Sequence, residues 1–261
     1  MTNYSSFGLN DKIAIVTGPS QGIGRAIALG LAAAGAHLVL AKHPDGRQEE
    51  VRQLQSEIEA MGRKTLLVMT DVSRVAELRA LMQKTTETFG RIDILVNNAA
   101  LLMSYGQLRA HEMSNEEWDR TLNVNLRGYW LCSKYVIPPM LSQKSGNILF
   151  IGSRTGLRGF SGFSAYSASK GGVLALMRSM AADYAPEGIR VNAIIPGTMD
   201  TPMNAQEFSE PGARDKYIPR IPARRLGVAT DIAGIATFLA TEEASFCIGG
   251  LYFADGGAEL G

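Results

Sequence analysis

The chain is poor in the residues that mark several function classes. Two cysteines, Cys132 and Cys247, stand far apart among 261 residues, which excludes a disulfide framework and a cysteine-rich metal module. Three histidines, His37, His43 and His111, show no metal-ligand spacing and are expected in structural or solvent-facing places, so no metal is expected. Trp118 and Trp130 are the only tryptophans, both on one long helix candidate, where packing is expected. Excess charge is missing too. The 26 basic and 25 acidic residues leave a formal charge of +1, so nothing advertises nucleic acid or an anionic membrane as partner. The most apolar stretch, 26–41, is broken by Gly30, Gly35 and His37 and is no membrane span. Residues 1–11 have neither the basic nor the apolar region of a signal peptide. A cytoplasmic protein with idle thiols is expected.

What is present is an ordinary globular composition, 46% hydrophobic and 20% charged, long enough for a substantial core. Seven apolar runs of strand length recur: 13–16, 38–40, 66–69, 92–96, 148–151, 191–195 and 251–253. Their continuous apolarity, without in/out alternation, fits strands covered on both faces. Amphipathic patterns at 23–34, 47–61, 75–89, 116–142, 165–184 and 231–239 predict helices between them. Strand and helix alternating along the whole chain predict an α/β fold, a doubly wound Rossmann-type parallel sheet of about seven strands with helices on both faces. No linker or repeat divides it, so residues 1–261 are expected to form one domain. Two segments break the rhythm. Residues 101–114 are a loop after the fourth strand, and 198–225, with four prolines, follow the sixth. The second lies where the carboxyl end of a strand faces the ligand, and is expected to be a substrate lid, poorly ordered until ligands bind.

Two local patterns carry chemistry. Thr17-Gly18-Pro19-Ser20-Gln21-Gly22-Ile23-Gly24 follows the first strand and opens the first helix. Glycines let backbone approach a pyrophosphate, and the helix N-terminus offers it unpaired N–H groups. Its Gly-x-x-x-Gly-x-Gly spacing differs from the Gly-x-Gly-x-x-Gly fingerprint. In Tyr166-Ser167-Ala168-Ser169-Lys170 a phenol and an ammonium lie one helical turn apart on a shared face. The positive charge is expected to lower the phenol toward neutrality, so that Tyr166 exchanges a proton with a carbonyl oxygen.

With these motifs the chain as a whole resembles the short-chain dehydrogenase/reductase family. Asp71-Val72 is similar to that family's adenine-contacting pair, and Asn97-Asn98-Ala99-Ala100 to its Asn-Asn-Ala-Gly turn, with Ala100 replacing the glycine. Asn125, Ser153 thirteen residues before Tyr166, and Pro196-Gly197 also match. The resemblance implies a carbonyl–alcohol oxidoreductase using NAD or NADP. Tyr166 would be general acid and base, Lys170 would tune it and hold the nicotinamide ribose, and Ser153 would bind the substrate oxygen. Asn125 would place a water that links Lys170 to solvent. The cofactor would be contacted by Gly18, Ser20, Gln21, Gly22, Ile23, Gly24, Lys42, His43, Asp71, Val72, Asn98, Ala99, Pro196, Gly197 and Thr198, besides Tyr166 and Lys170. Assembly as a homotetramer or homodimer, through helices around 122–140 and 171–184, is implied as well.

Cofactor choice turns on the end of strand two. Lys42 and His43 stand where an acidic residue would select NAD, which predicts a preference for NADP; Gln21 and nearby Asp45 weigh against it. The substrate is expected to be a small ketone, sugar, polyol or other hydroxy compound. A 3-oxoacyl-thioester reductase is the alternative; it would need a basic docking patch for an acidic carrier, for which Arg127, Arg154 and Arg158 are available. A non-catalytic dinucleotide sensor should have lost Tyr166 or Lys170, and both are present. Arg154 and Arg158 fit surface salt bridges and contact with a polar substrate equally well.

Overall fold

Each apolar run becomes a strand because alternate side chains find a hydrophobic layer on opposite faces. In the computed structural model, which describes residues 8–44, 46–103, 108–209 and 211–260, nine strands form: β1 (Ile13–Thr17), β2 (His37–Lys42), β3 (Thr65–Met69), β4 (Ile94–Asn97), β5 (Gly146–Ile151), β6 (Ile189–Pro196), β7 (Met199–Asp200), β8 (Gly227–Val228) and β9 (Leu251–Ala254). Seven make one parallel sheet in the order β3-β2-β1-β4-β5-β6-β9. This is the expected doubly wound sheet. The order reverses between β1 and β4, and ligands bind beyond the carboxyl ends of strands at such a reversal.

The helices are α1 (Gly22–Ala33), α2 (Gln48–Ala60), α3 (Val75–Phe89), α4 (Asn115–Leu122), α5 (Gly128–Gln143), α6 (Ser164–Tyr184), α7 (Ala213–Tyr217) and α8 (Ala229–Ala240). Ile13 and Ile15 of β1, with Ile148 and Phe150 of β5, pack beneath α3, α5 and α6. Their neighbours Ala14, Val16, Leu149 and Ile151 pack beneath α1, α2 and α8. Fully burying one such aliphatic side chain contributes roughly 1.5–3 kcal/mol, so these two layers dominate the stability.

Three features depart from the sequence expectation. The single helix expected over 116–142 is interrupted: α4 ends at Leu122, Asn123–Arg127 form a π-helical turn, and α5 starts at Gly128. Nothing in the apolar period signals the extra residue, because no proline or glycine breaks it before Gly128. Trp118 and Trp130, expected to pack, are 39% and 42% exposed. The inward face of α5 is taken by Tyr129, Cys132, Val136 and Met140, leaving Trp130 under the Lys134 ammonium, 5.0 Å from its ring centre. Residues 198–225 also hold more regular structure than a loop. β7 pairs with β8 at their base, and Phe208, Ile221 and Leu226 bury against Ala258. Of the loop at 101–114, residues 104–107 lie outside the described residues, as does Asp45.

Candidate active site

The glycine loop is shaped by two backbone demands. Gly18 adopts a φ of +65°, which side chains disfavour, and a Cβ on Gly24 would collide with the Gly18 carbonyl and the Asn98 amide. The Asn98 side chain donates to the carbonyls of Thr17 (2.9 Å) and Gly18 (3.0 Å). The Thr17 hydroxyl in turn accepts from the backbone N–H groups of Asn98 and Ala99. β1 and β4 thus staple the loop from both sides. Gln21 Oε1 is buried and unpartnered among the described residues. A tight glycine cradle at the start of α1 fits the phosphates of a dinucleotide, while the orphaned Gln21 oxygen, an acceptor, suits a donor such as a hydroxyl.

β5 delivers Ser153. In extended conformation, its hydroxyl accepts from the Thr155 N–H (3.2 Å) and hydroxyl (2.9 Å), capping a short 3₁₀ turn, Arg154–Gly156. That turn lies flat on α6, since a Cβ at Gly156 would press on the backbone of Lys170 and Gly171 at 2.7–2.8 Å. α6 carries Tyr166 and Lys170 toward the same point. Tyr166 is half-buried and hydrogen-bonded to Ser153. The Lys170 ammonium stands 5.7 Å from the Tyr166 ring centre and donates to the Ile151 carbonyl (2.7 Å) and the Tyr129 hydroxyl (3.2 Å).

The electrostatics differ from the sequence expectation. Burial pushes the Tyr166 phenol up to about 12, with only the Ser153 hydrogen bond pulling the other way. The same desolvation draws Lys170 down to about 7. The sequence displays a charge beside a phenol but not the depth at which both sit, and here depth outweighs charge. Asn125 lies in the π turn, fully buried. Its side chain accepts from the Leu101 N–H (2.7 Å) and donates to the Leu101 carbonyl (2.8 Å) and the Ser169 hydroxyl (3.3 Å). These bonds pin the loop after β4 to α6.

A single cavity of about 1160 Å³ joins these groups. Every residue expected at the cofactor lines it, as do Ser153, Tyr166 and Lys170; Asn125 does not. At one end, Lys42 is only 2% exposed, its ammonium donating to the His43 carbonyl. His43 Nε2 lies 3.7 Å from Asp71, and Arg74 lies 3.3 Å from the same carboxylate. Burial alone would raise Asp71, but two Ser73 hydrogen bonds, His43 and Arg74 outweigh it and hold the carboxyl below its usual range.

Sequence reasoning missed the contributions of five residues. Arg47, in left-handed conformation before α2, lines the cavity beside Lys42. Thr17 anchors the glycine loop and Tyr129 holds Lys170 from below. Phe208 and Tyr217 stack edge to face, 5.7 Å apart, and both line the cavity from 198–225. Among the described residues, no group of three or more His, Cys, Asp or Glu is placed to hold a metal ion.

Known proteins resemble this chain over nearly its whole length. A family model described as enoyl-(acyl carrier protein) reductase matches residues 18–259. The chain is 38% identical over 245 residues to a 2-(R)-hydroxypropyl-CoM dehydrogenase of Xanthobacter autotrophicus, covering 94% of this chain and 97% of that protein. It is 34% identical over 249 residues to a 3-oxoacyl-[acyl-carrier-protein] reductase of Thermotoga maritima, covering 95% and 98% respectively. Among solved structures, a protein assigned as an NAD(P)-dependent gluconate 5-dehydrogenase from Beutenbergia cavernae, with bound NADP at low occupancy, superposes with a TM-score of 0.91 at 34% identity. That match covers 98% of this chain and all, 100%, of that one.

Proposed function

Because this chain belongs to the short-chain dehydrogenase/reductase family, NAD(P)-dependent enzymes that interconvert a carbonyl and an alcohol, we propose that it acts on a small hydroxy or keto compound with Tyr166 as acid and base, and that it prefers NADP. One observation carries the reading: the hydrogen-bonded Ser153–Tyr166 pair lines the same cavity as the glycine loop.

The nicotinamide cofactor, when bound, supplies or accepts the hydride. Gly18, the Gln21 backbone and the start of α1 would hold its phosphates. The Ser153 hydroxyl binds the substrate oxygen and stabilises charge that develops on it. Tyr166 gives its phenol proton to that oxygen during reduction and takes it back during oxidation. Two of the three Lys170 N–H donors go to Ile151 and Tyr129, which fixes where the third points. Asn125 acts through the loop it pins, holding α6 and the segment after β4 in register.

The preference for NADP rests on the cations at the end of β2. Lys42 and Arg47 line that part of the cavity beside His43; Asp71 is engaged by Ser73 and Arg74, and the Arg47 guanidinium lies 3.8 Å from Glu50. A 2′-phosphate meets fixed positive charge there. Residues 198–225 close over the substrate as a lid, within a single domain spanning the chain. The exposed Trp130 and Leu141 on α5 suit assembly as a tetramer or dimer. Free thiols at Cys132 and Cys247 suit the cytoplasm. Reduction of carrier-bound 3-oxoacyl thioesters is less well supported: of the three arginines a basic docking patch would use, Arg158 is neutralised by Glu259.

Ketones and alcohols screened with both cofactors, following absorbance of the reduced nicotinamide, test the reading. Turnover with NADP and a small keto compound is expected. Turnover confined to acyl-carrier thioesters overturns the substrate class, and higher efficiency with NAD overturns the cofactor preference.

A further inference from the structure

The two arginines that follow the catalytic serine have different fates. Arg158 is paired: its Nε meets Glu259 Oε1 at 2.8 Å and its Nη2 donates to the Glu259 carbonyl at 2.8 Å. Arg154 lines the cavity, half-buried. Its guanidinium donates only to neutral acceptors, the Ala258 carbonyl at 3.0 Å and, weakly, the Thr198 hydroxyl at 3.4 Å. The Phe160 ring, 6.0 Å away, covers one face. Among the described residues no carboxylate lies within ion-pair distance of it.

We propose that Arg154 binds an oxyanion substituent of the substrate, so that the enzyme acts on anionic keto or hydroxy compounds, carboxylates first among them. The proposal rests on the reading of Ser153 and Tyr166 as the catalytic groups. A half-buried cation without a counter-ion carries a desolvation cost that an anionic ligand offsets. The planar guanidinium suits a carboxylate better than an ammonium would, because two parallel N–H bonds fix the orientation of the ligand. Arg154 and Ser153 line the same cavity, so a ligand that meets both carries its charged group and its reacting carbon on one small molecule. The cavity's acidic side chains do not compete for Arg154. Asp71 is engaged at the β2 end, Glu207 accepts from the Tyr217 hydroxyl at 2.7 Å, and Glu116 and Asp119 belong to α4.

Binding of malonate, 3-hydroxybutyrate and gluconate, each beside its amide, tests this by calorimetry with and without NADP. Wild type should bind at least one acid about tenfold or more tightly than its amide, as for a charge-assisted hydrogen bond. Arg154→Gln should erase that preference, Arg154→Lys should keep part of it, and Arg158→Gln should leave it intact. Acids and amides binding equally, or no acid binding at all, overturns the proposal. So does a preference that survives in Arg154→Gln, or one lost equally in Arg158→Gln, which would make the segment and not the guanidinium responsible. A protein that binds these acids but transfers no hydride with any of them would leave the anion site standing and sink the catalytic reading.

Discussion

The Lys170 ammonium stands 4.9 Å from the centre of the Tyr129 ring and donates to the Tyr129 hydroxyl at 3.2 Å. Tyr129 is itself buried, and desolvation first, then the nearby Tyr166 and Cys132, drives its phenol well above the usual range. It therefore stays neutral under Lys170, a hydrogen-bond acceptor and a π face but no counter-ion. The ammonium is left with dipoles alone.

That arrangement makes stability depend on pH. Lys170 loses its proton near pH 7 in the folded chain and near its ordinary 10.5 in the unfolded one. Below pH 7 both states carry the charge, and folding bears the whole cost of burying it. Between those two values the unfolded state holds more protons, so stability rises with pH. Lys170→Met should stabilise the fold at about pH 6 by something on the order of a few kcal/mol, with the advantage shrinking by about pH 9. Urea midpoints at the two pH values check this. A difference that stays constant, or grows with pH, contradicts it.

Tyr166→Phe keeps the ring against Phe163, which it meets edge-on at 6.5 Å, and removes only the transferable proton. Turnover should fall at least about 100-fold while cofactor binding is retained. Steady-state rates with parallel fluorescence titration of the reduced cofactor measure both. Near-wild-type turnover would remove Tyr166 from the chemistry.

Lys42 is too deeply buried to be replaced by aspartate without stranding a carboxylate in its place. Lys42→Met and Arg47→Gln are the better probes of cofactor choice. Each should lower kcat/KM with NADP by about tenfold, the loss expected of one charged hydrogen bond, and leave NAD nearly unchanged. Equal losses with both cofactors would show that these side chains do not meet a 2′-phosphate.

The segment 198–225 rests on a cluster of four buried residues set apart from the two main layers. Phe208→Ala should loosen it, since removing a well-packed phenylalanine costs about 3 kcal/mol or more. Trypsin cleavage within the segment should quicken several-fold and KM for the keto substrate should rise, with little change in the thermal midpoint of the whole chain. In wild type, NADP and substrate together should slow that cleavage. Indifference to ligands would argue against a lid.

How much of this was legible depends on sequence distance. The glycine loop and the Tyr166–Lys170 pair are local patterns, so spacing alone located them, and each of the seven strands of the main sheet announced itself by an apolar run, whereas the two-residue β7 and β8 did not. Tyr129 was invisible because it meets Lys170 across 41 residues, and the Ala258 anchor of the segment 198–225 lies fifty residues beyond Phe208. Arg47 carries no signal of its own; only the left-handed turn before α2 brings it to the cavity. The direction of the Tyr166 shift was misjudged for a related reason. Charge is written in a sequence, whereas burial belongs to the assembled fold.

The π-helical turn at Asn123–Arg127 gives α4 and α5 different angular phases. Such a turn holds about one residue more than an α turn, and one residue is about 100° of rotation. Loss of a single amino acid between Leu122 and Gly128 would let the hydrogen-bond ladder run straight through, swinging Trp118 to another side of the molecule and drawing the Asn125 amide off Leu101. A one-residue deletion here, unlike one in a surface loop, would therefore reach the proposed site, through the bonds by which Asn125 pins the segment after β4 to α6.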